Sequence, residues 1–282
     1  MLQVLSKWAS GKKAMCSKFA IEFIASAMFH FIGSVSPTPI ANGVALMTLV
    51  YYTAKISGAH INPAISLTFT VLGYTNPLEM LGYWIAQVSG CAFGAIWISA
   101  LVPGLKIGQD IKRIAGGEAY DGCFVPADGL DKFNTFGWEA LCTFNFIIPI
   151  FSVVWYTHHK AGYGNTGPLI IGLSLLANAL VAGPFTGAAL NPARAIGSQI
   201  VFVCPKKEFT LYYVLGELLA GLLAPMLIVP WYGISTEAWF LEFLSKKTII
   251  KFREYQGSIK MSATQMIESE RNSNTVGQTV SV

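Results

Sequence analysis

Charge is what this chain has least of: Asp, Glu, Lys and Arg make up only 12% of its 282 residues, against roughly 25% in soluble domains. With 53% hydrophobic residues beside that shortage, an ordinary soluble globule is excluded and a membrane protein is indicated. There is no nucleophile elbow, no phosphate-binding loop and no metal-spaced cluster, so no enzyme, cofactor or metal site is expected. Asn-x-Ser/Thr acceptor sequences are absent too. The five cysteines are scattered; buried thiols packing as small hydrophobes is the favoured reading, with a Cys123–Cys204 bridge on the outer side as the alternative.

What the chain does have is apolar runs of about the ~20 residues that span hydrocarbon. Six are expected, near 19–37, 39–57, 78–103, 135–157, 167–184 and 209–233. The lysine-rich start followed by an apolar stretch superficially resembles a signal peptide, but it has no small-residue cleavage site and is read as a retained first helix. Lys7, Lys12, Lys13, Lys18, Lys55, Lys160 and the basic residues of the tail all fall on one side if the spans alternate, which predicts both termini cytoplasmic. The net charge of +4 therefore reflects topology, and no nucleic-acid partner is expected.

An internal repeat organises the runs. "SGAHINPA" at 57–64 returns as "TGAALNPA" at 186–193, and "FAIEFIASAMF" at 19–29 is echoed by "FGWEALCTFNF" at 136–146, pairing Glu22 with Glu139. Each half holds three spans, so the second half crosses in the opposite sense and the repeat is inverted. After each Asn-Pro-Ala comes an apolar piece too short to span, which reads as a re-entrant segment. The resulting fold class is an all-α membrane protein with six transmembrane helices and two re-entrant half-helices.

Taken singly, Asn-Pro is a plain helix start: Asn caps free N–H groups, and Pro at the first helical position has none to leave unsatisfied. In an inverted pair, Asn62-Pro63-Ala64 and Asn191-Pro192-Ala193 are expected to meet at the bilayer midplane. Two helix starts carrying about half a positive charge each would repel cations there and leave neutral molecules unaffected. The Asn62 and Asn191 amides are expected to offer N–H groups to a passing molecule. The extended residues before them, Gly58, Ala59 and His60 in one half and Gly187, Ala188 and Ala189 in the other, would present carbonyls. Arg194, charged inside an apolar run, is a functional candidate by its cost alone.

These boxes, with a Glu in spans one and four, make the sequence resemble the aquaporins, or major intrinsic proteins, over roughly residues 17–234. The resemblance implies one pore per subunit, a homotetramer, and passive single-file conduction. It also implies a filter of four residues, which fall here at Asn42, Ala179, Ala188 and Arg194. Strict water channels carry Phe, His and a small residue or Cys beside the Arg, so this filter should be wider. Typical glycerol facilitators have filter aromatics and an Asp after the Arg, where this chain has Ala195. Water, with glycerol, urea or hydrogen peroxide, is the expected cargo, crossing the lipid bilayer of a plasma or vesicle membrane.

The domain plan is a cytoplasmic segment 1–18, an aquaporin-like channel domain 19–233 and a cytoplasmic tail 234–282. Within the channel, repeat one covers about 19–103, an extracellular connection 104–134, and repeat two about 135–233. Glu22 and Glu139 are read as structural acids that accept hydrogen bonds from the re-entrant loops, in preference to a proton relay. His60 is read as loop wall, with a pH sensor as the alternative. His158, His159 and Tyr163 sit in a Gly-rich connection and are the candidates for gating. Two glycines in "GCAFG" (90–94) permit close helix contact. Alternatives to an open channel are a gated or closed protein with a junction or scaffold role, and an inverted-repeat coupled transporter.

Overall fold

The computed structural model describes residues 2–36, 38–111, 121–158 and 166–228, with side chains from residue 15 onward except at 155–158 and 228. Eight α-helices are present among them: α1 (Leu2–Val35), α2 (Pro39–Ser57), α3 (Pro63–Val71), α4 (Pro77–Leu101), α5 (Lys132–His158), α6 (Gly167–Thr186), α7 (Pro192–Val201) and α8 (Thr210–Ile228). Among the described residues, β structure is limited to one isolated bridge between Asp110 and Val203.

Local chemistry sets several of the starts. α2, α3, α4, α6 and α7 all have proline in their first two positions, where a missing N–H leaves nothing unsatisfied. Asn62, Asn76 and Asn191 each turn the side-chain oxygen onto the backbone N–H two residues on, capping α3, α4 and α7.

Among the described residues, five helices are long and apolar enough to cross a membrane: Met15–Val35, Pro77–Leu101, Lys132–Val154, Gly167–Thr186 and Lys207–Leu227. The expected second span, α2, is not among them. Its 19 residues reach about 28 Å, close to the ~30 Å hydrocarbon thickness, but Asn42, Thr48, Thr53 and Lys55 lower its apolarity. α1 also begins at Leu2, well before the expected boundary at residue 19.

The packing repeats with the sequence. α1 lies against α2 and α4 as α5 lies against α6 and α8; α2 meets α6 across the halves, α3 packs on α8, and α7 on α4. Gly90 and Gly94 face α1: a Cβ on them would come within 2.4 Å of the Phe23 carbonyl oxygen and 2.5 Å of that of Ala27. The glycine pair thus serves contact within the chain.

Burial is inverted relative to a soluble protein. Ile85, Leu141 and Leu215 are exposed, whereas Glu22, Gln87, Glu139 and Glu217 are fully enclosed. A bilayer makes sense of both halves of that pattern.

Candidate functional site

The two re-entrant segments run in from opposite ends of the bundle. Gly58 (φ 93°) and Gly187 (φ 81°) end α2 and α6 in left-handed geometry, and each N–H closes onto the carbonyl four residues back. The chain then stays unusual: Ala59, Ile61, Ala188 and Leu190 also have positive φ, between 49° and 55°. For residues with a Cβ this is strained backbone, of order 1–3 kcal/mol each, and branched Ile61 is the most uncommon case. Something must hold it.

Two buried carboxylates do. Glu22 accepts at Oε1 from Ser57 Oγ (2.5 Å) and His60 N (2.9 Å), and at Oε2 from Ile61 N (2.7 Å) and Gln87 Nε2 (2.9 Å). Glu139 accepts from Thr186 Oγ1 (2.5 Å), Ala189 N (3.2 Å) and Leu190 N (2.9 Å). Glu217 takes the next N–H, that of Asn191, at 2.7 Å. With the N–H groups turned to the acids, the peptide units can direct carbonyls the other way.

The halves lock to each other at the helix starts. Asn62 Nδ2 donates to the Leu190 carbonyl at 2.7 Å, and Asn191 Nδ2 donates to the Ile61 carbonyl at 2.8 Å. This adds a second role to the expected one: one N–H of each amide is engaged across the repeat, and an amide has two.

Around this junction lies a narrow lumen of about 40 Å³, lined by Gly58, Ala59, His60, Asn62, Ala189 and Asn191 together with apolar side chains including Phe29, Leu46, Phe146 and Ile150. At ~10–15 Å³ of such volume per water, it holds only a few molecules. Wide vestibules open at either end. One, of about 580 Å³, brings together Asn42, Ala179, Gly187, Ala188 and Arg194. The other, of about 540 Å³, is bordered by Ser57, His60 and Tyr83 and by the Lys18–Glu79 ion pair, 2.7 Å long.

Arg194 is 3% exposed. Its guanidinium carbon sits 4.7 Å from the centre of the Phe29 ring and 5.0 Å from that of Phe124, two cation–π contacts that reach about 2 kcal/mol or more each when desolvated. Its Nε has no hydrogen-bond partner among the described residues, and neither has Asn42 Oδ1. Asn42 Nδ2 donates to the Gly33 carbonyl at 3.1 Å. Gly33 lies close under both: a Cβ there would stand 2.2 Å from Asn42 Oδ1 and 3.0 Å from Arg194 Nη2, so the Asn42 amide would have to shift.

His60 is enclosed, its Nδ1 3.1 Å from Ser66 Oγ and its ring stacked on Phe69 and edge-on to Tyr83. That is the geometry of a wall. His159 and Tyr163 lie outside the described residues, and of His158 only the backbone, at the end of α5, is described.

Several participants escaped the sequence reading. Ser57 and Thr186 are the first letters of the two repeats, and each also accepts from the backbone N–H two residues on, Ala59 or Ala188. Tyr83 and Tyr213 donate to the Ser57 and Thr186 carbonyls, both at 2.6 Å; aligning α4 with α8 would have paired them. Phe29 and Phe146 are the shared aromatics of the first echo. Phe124 had no signal. A disulfide joins Cys123 to Cys204, so the bridge holds and the favoured thiol reading is corrected for this pair. Cys91 and Cys142 are free and buried, as expected.

Comparison with known proteins agrees with this geometry. Residues 9–228 match the family described as Major intrinsic protein. Aquaporin-8 of Notomys alexis is 31% identical over 219 residues, covering 74% of this chain and 79% of that protein. Probable aquaporin TIP3-2 of Arabidopsis thaliana is 29% identical over 201 residues, 70% of this chain and 69% of that one. Among solved structures, the aquaglyceroporin from Plasmodium falciparum superposes with a TM-score of 0.65 over 76% of this chain and 95% of its own, at 18% identity, a likeness of fold. The chain belongs to the major intrinsic protein family, and it is a multi-pass membrane channel of aquaporin fold, not an enzyme.

Proposed function

We propose that the protein conducts water passively, and with it small neutral solutes such as glycerol, urea or hydrogen peroxide, while excluding protons and ions. The observation that carries this reading is the meeting of two helix starts, Asn62 and Asn191, at a lumen of about 40 Å³ between two open vestibules. Each start brings about half a positive charge to the same place, which opposes cations and leaves neutral molecules free to pass.

Asn42, Ala179, Ala188 and Arg194 form the selectivity filter in this reading. Two methyl groups where larger side chains could stand leave space, and the free acceptor Asn42 Oδ1 beside the Arg194 donors suits hydrogen-bonding solutes. The side of residues 104–134 is extracellular and both termini are cytoplasmic, in the plasma membrane or that of an intracellular vesicle. The channel assembles as a homotetramer, and the connection carrying His158, His159 and Tyr163 gates it.

Stopped-flow light scattering of proteoliposomes tests the reading, first with an impermeant osmolyte, then with glycerol or urea. Water flux well above that of empty vesicles is expected, with slower solute entry. Flux equal to empty vesicles at several pH values would leave a closed gate or a scaffold role.

A further inference from the structure

We infer that Phe124 is a further specificity-determining residue of the pore, an aromatic wall of the filter supplied by the long connection in place of the side chains that Ala179 and Ala188 lack. This rests on the channel reading above and deepens it.

The geometry begins with Arg194. Two rings stand against its guanidinium, Phe29 of α1 at 4.7 Å and Phe124, which belongs to no helix, at 5.0 Å. Phe124 also borders the vestibule shared by Asn42, Ala179, Ala188 and Arg194. Its ring edge stands 3.4 Å from where a Cβ on Gly187 would be, next to Ala188. The opening is therefore bounded on this side by a phenyl ring, and its width is not set by the two alanines alone.

A loop residue can define a filter only if the loop is fixed, and this one is tied to both halves. Cys123, the neighbour of Phe124, is bonded to Cys204 just beyond α7. Gly122 threads between Ser34 of α1 and Ser198 of α7, whose hydroxyls lie 2.7 and 2.9 Å from where its Cβ would be. Ala127 N donates to the Phe185 carbonyl at 2.7 Å, and Lys206 Nζ to the Pro126 carbonyl at 3.0 Å. Phe124 itself leans on Tyr213 of α8, ring centres 6.5 Å apart. The bridge thus holds the ring against the guanidinium, and breaking it releases one wall of the filter.

The test compares Phe124→Ala, Phe124→Leu and Phe124→Tyr with the unaltered channel in proteoliposomes, reading the ratio of glycerol or urea permeability to water permeability. Phe124→Ala should raise that ratio by about tenfold or more. Phe124→Leu should raise it less, and Phe124→Tyr should restore it. An impermeant phosphine that reduces Cys123–Cys204 should move the ratio in the same direction. A ratio unchanged in Phe124→Ala, with water flux intact, overturns the inference.

A second readout does not depend on conduction. The thiol introduced by Ala188→Cys should react with a bulky, membrane-impermeant maleimide about tenfold faster when Phe124→Ala is added. An unchanged rate overturns the placement of Phe124 even in a channel that proves closed. Absence of water flux in the unaltered protein would instead count against the channel reading, leaving the maleimide rate to decide on Phe124.

Discussion

Asn62 donates from Nδ2 to the carbonyl oxygen of Leu190 at 2.7 Å, tying the start of one re-entrant helix to the backbone that leads into the other. Asn191 returns the bond to Ile61, and each asparagine oxygen caps its own helix. The pair is therefore an interhelical clasp as well as two caps.

Replacing either asparagine by alanine should destabilise the protein by about 1 kcal/mol for the lost cap and about another 1 kcal/mol for the cross bond and its orphaned carbonyl. Thermal unfolding in detergent should show similar losses for Asn62→Ala and Asn191→Ala. The double variant should depart from their sum, because the two bonds share one junction. Strict additivity, or an unchanged midpoint, would argue against a clasp.

Glu22 accepts four hydrogen bonds within one buried site. Glutamine there brings a donor to face donors, so Glu22→Gln should orphan at least one backbone N–H and cost about 1–3 kcal/mol for each buried group left unpaired. The channel should lose thermal stability and assembly together. A relay role for the acid predicts the opposite: a stable protein with an altered pH dependence of flux.

What the sequence made legible was whatever its periodicity encodes. The repeat located Asn62 and Asn191, Glu22 and Glu139, and the starts of α3 and α7 to within a residue, because caps and glycines act locally. The apolarity of α2 was overestimated, since its inward face carries Asn42 and Thr53. Phe124 is beyond reach of the sequence, and the Cys123–Cys204 bridge is legible only as the less favoured alternative, for a different reason: both depend on the path of a connection that has no period and no repeat partner. Where contacts are set by a loop's route through space, composition does not report them.

Ala188 lies on the vestibule wall at the place where a cysteine would meet mercurials from that side. The unaltered channel should be insensitive through this position, and Ala188→Cys should make water flux fall on mercury addition and recover with a thiol reductant. Gly33→Ala probes the facing wall: its methyl would displace Asn42 Oδ1 and crowd Arg194 Nη2, so flux should drop without mercury. Gly33→Ala at full flux would mean that this wall does not bound the path.

The last prediction separates two sources of pH dependence. The Lys206 ammonium, hydrogen-bonded to Asp128 at 2.9 Å, holds that exposed carboxyl below the usual carboxylate range. A depressed folded-state value gives a contribution that is present above the unfolded value of about 3.9 and is lost only as pH falls through the folded one. The tie between residue 206 and the loop of Phe124 is therefore constant from about pH 5.5 to 7.5, an interval in which an imidazole near 6.5 does titrate. Asp128→Asn should leave the ratio of water permeabilities at these two pH values unchanged. His158→Gln with His159→Gln should abolish any difference that the unaltered channel shows. Equal permeability at both pH values in the unaltered channel would remove proton control from the proposed gate, and a ratio shifted by Asp128→Asn would place that control in the outer loop.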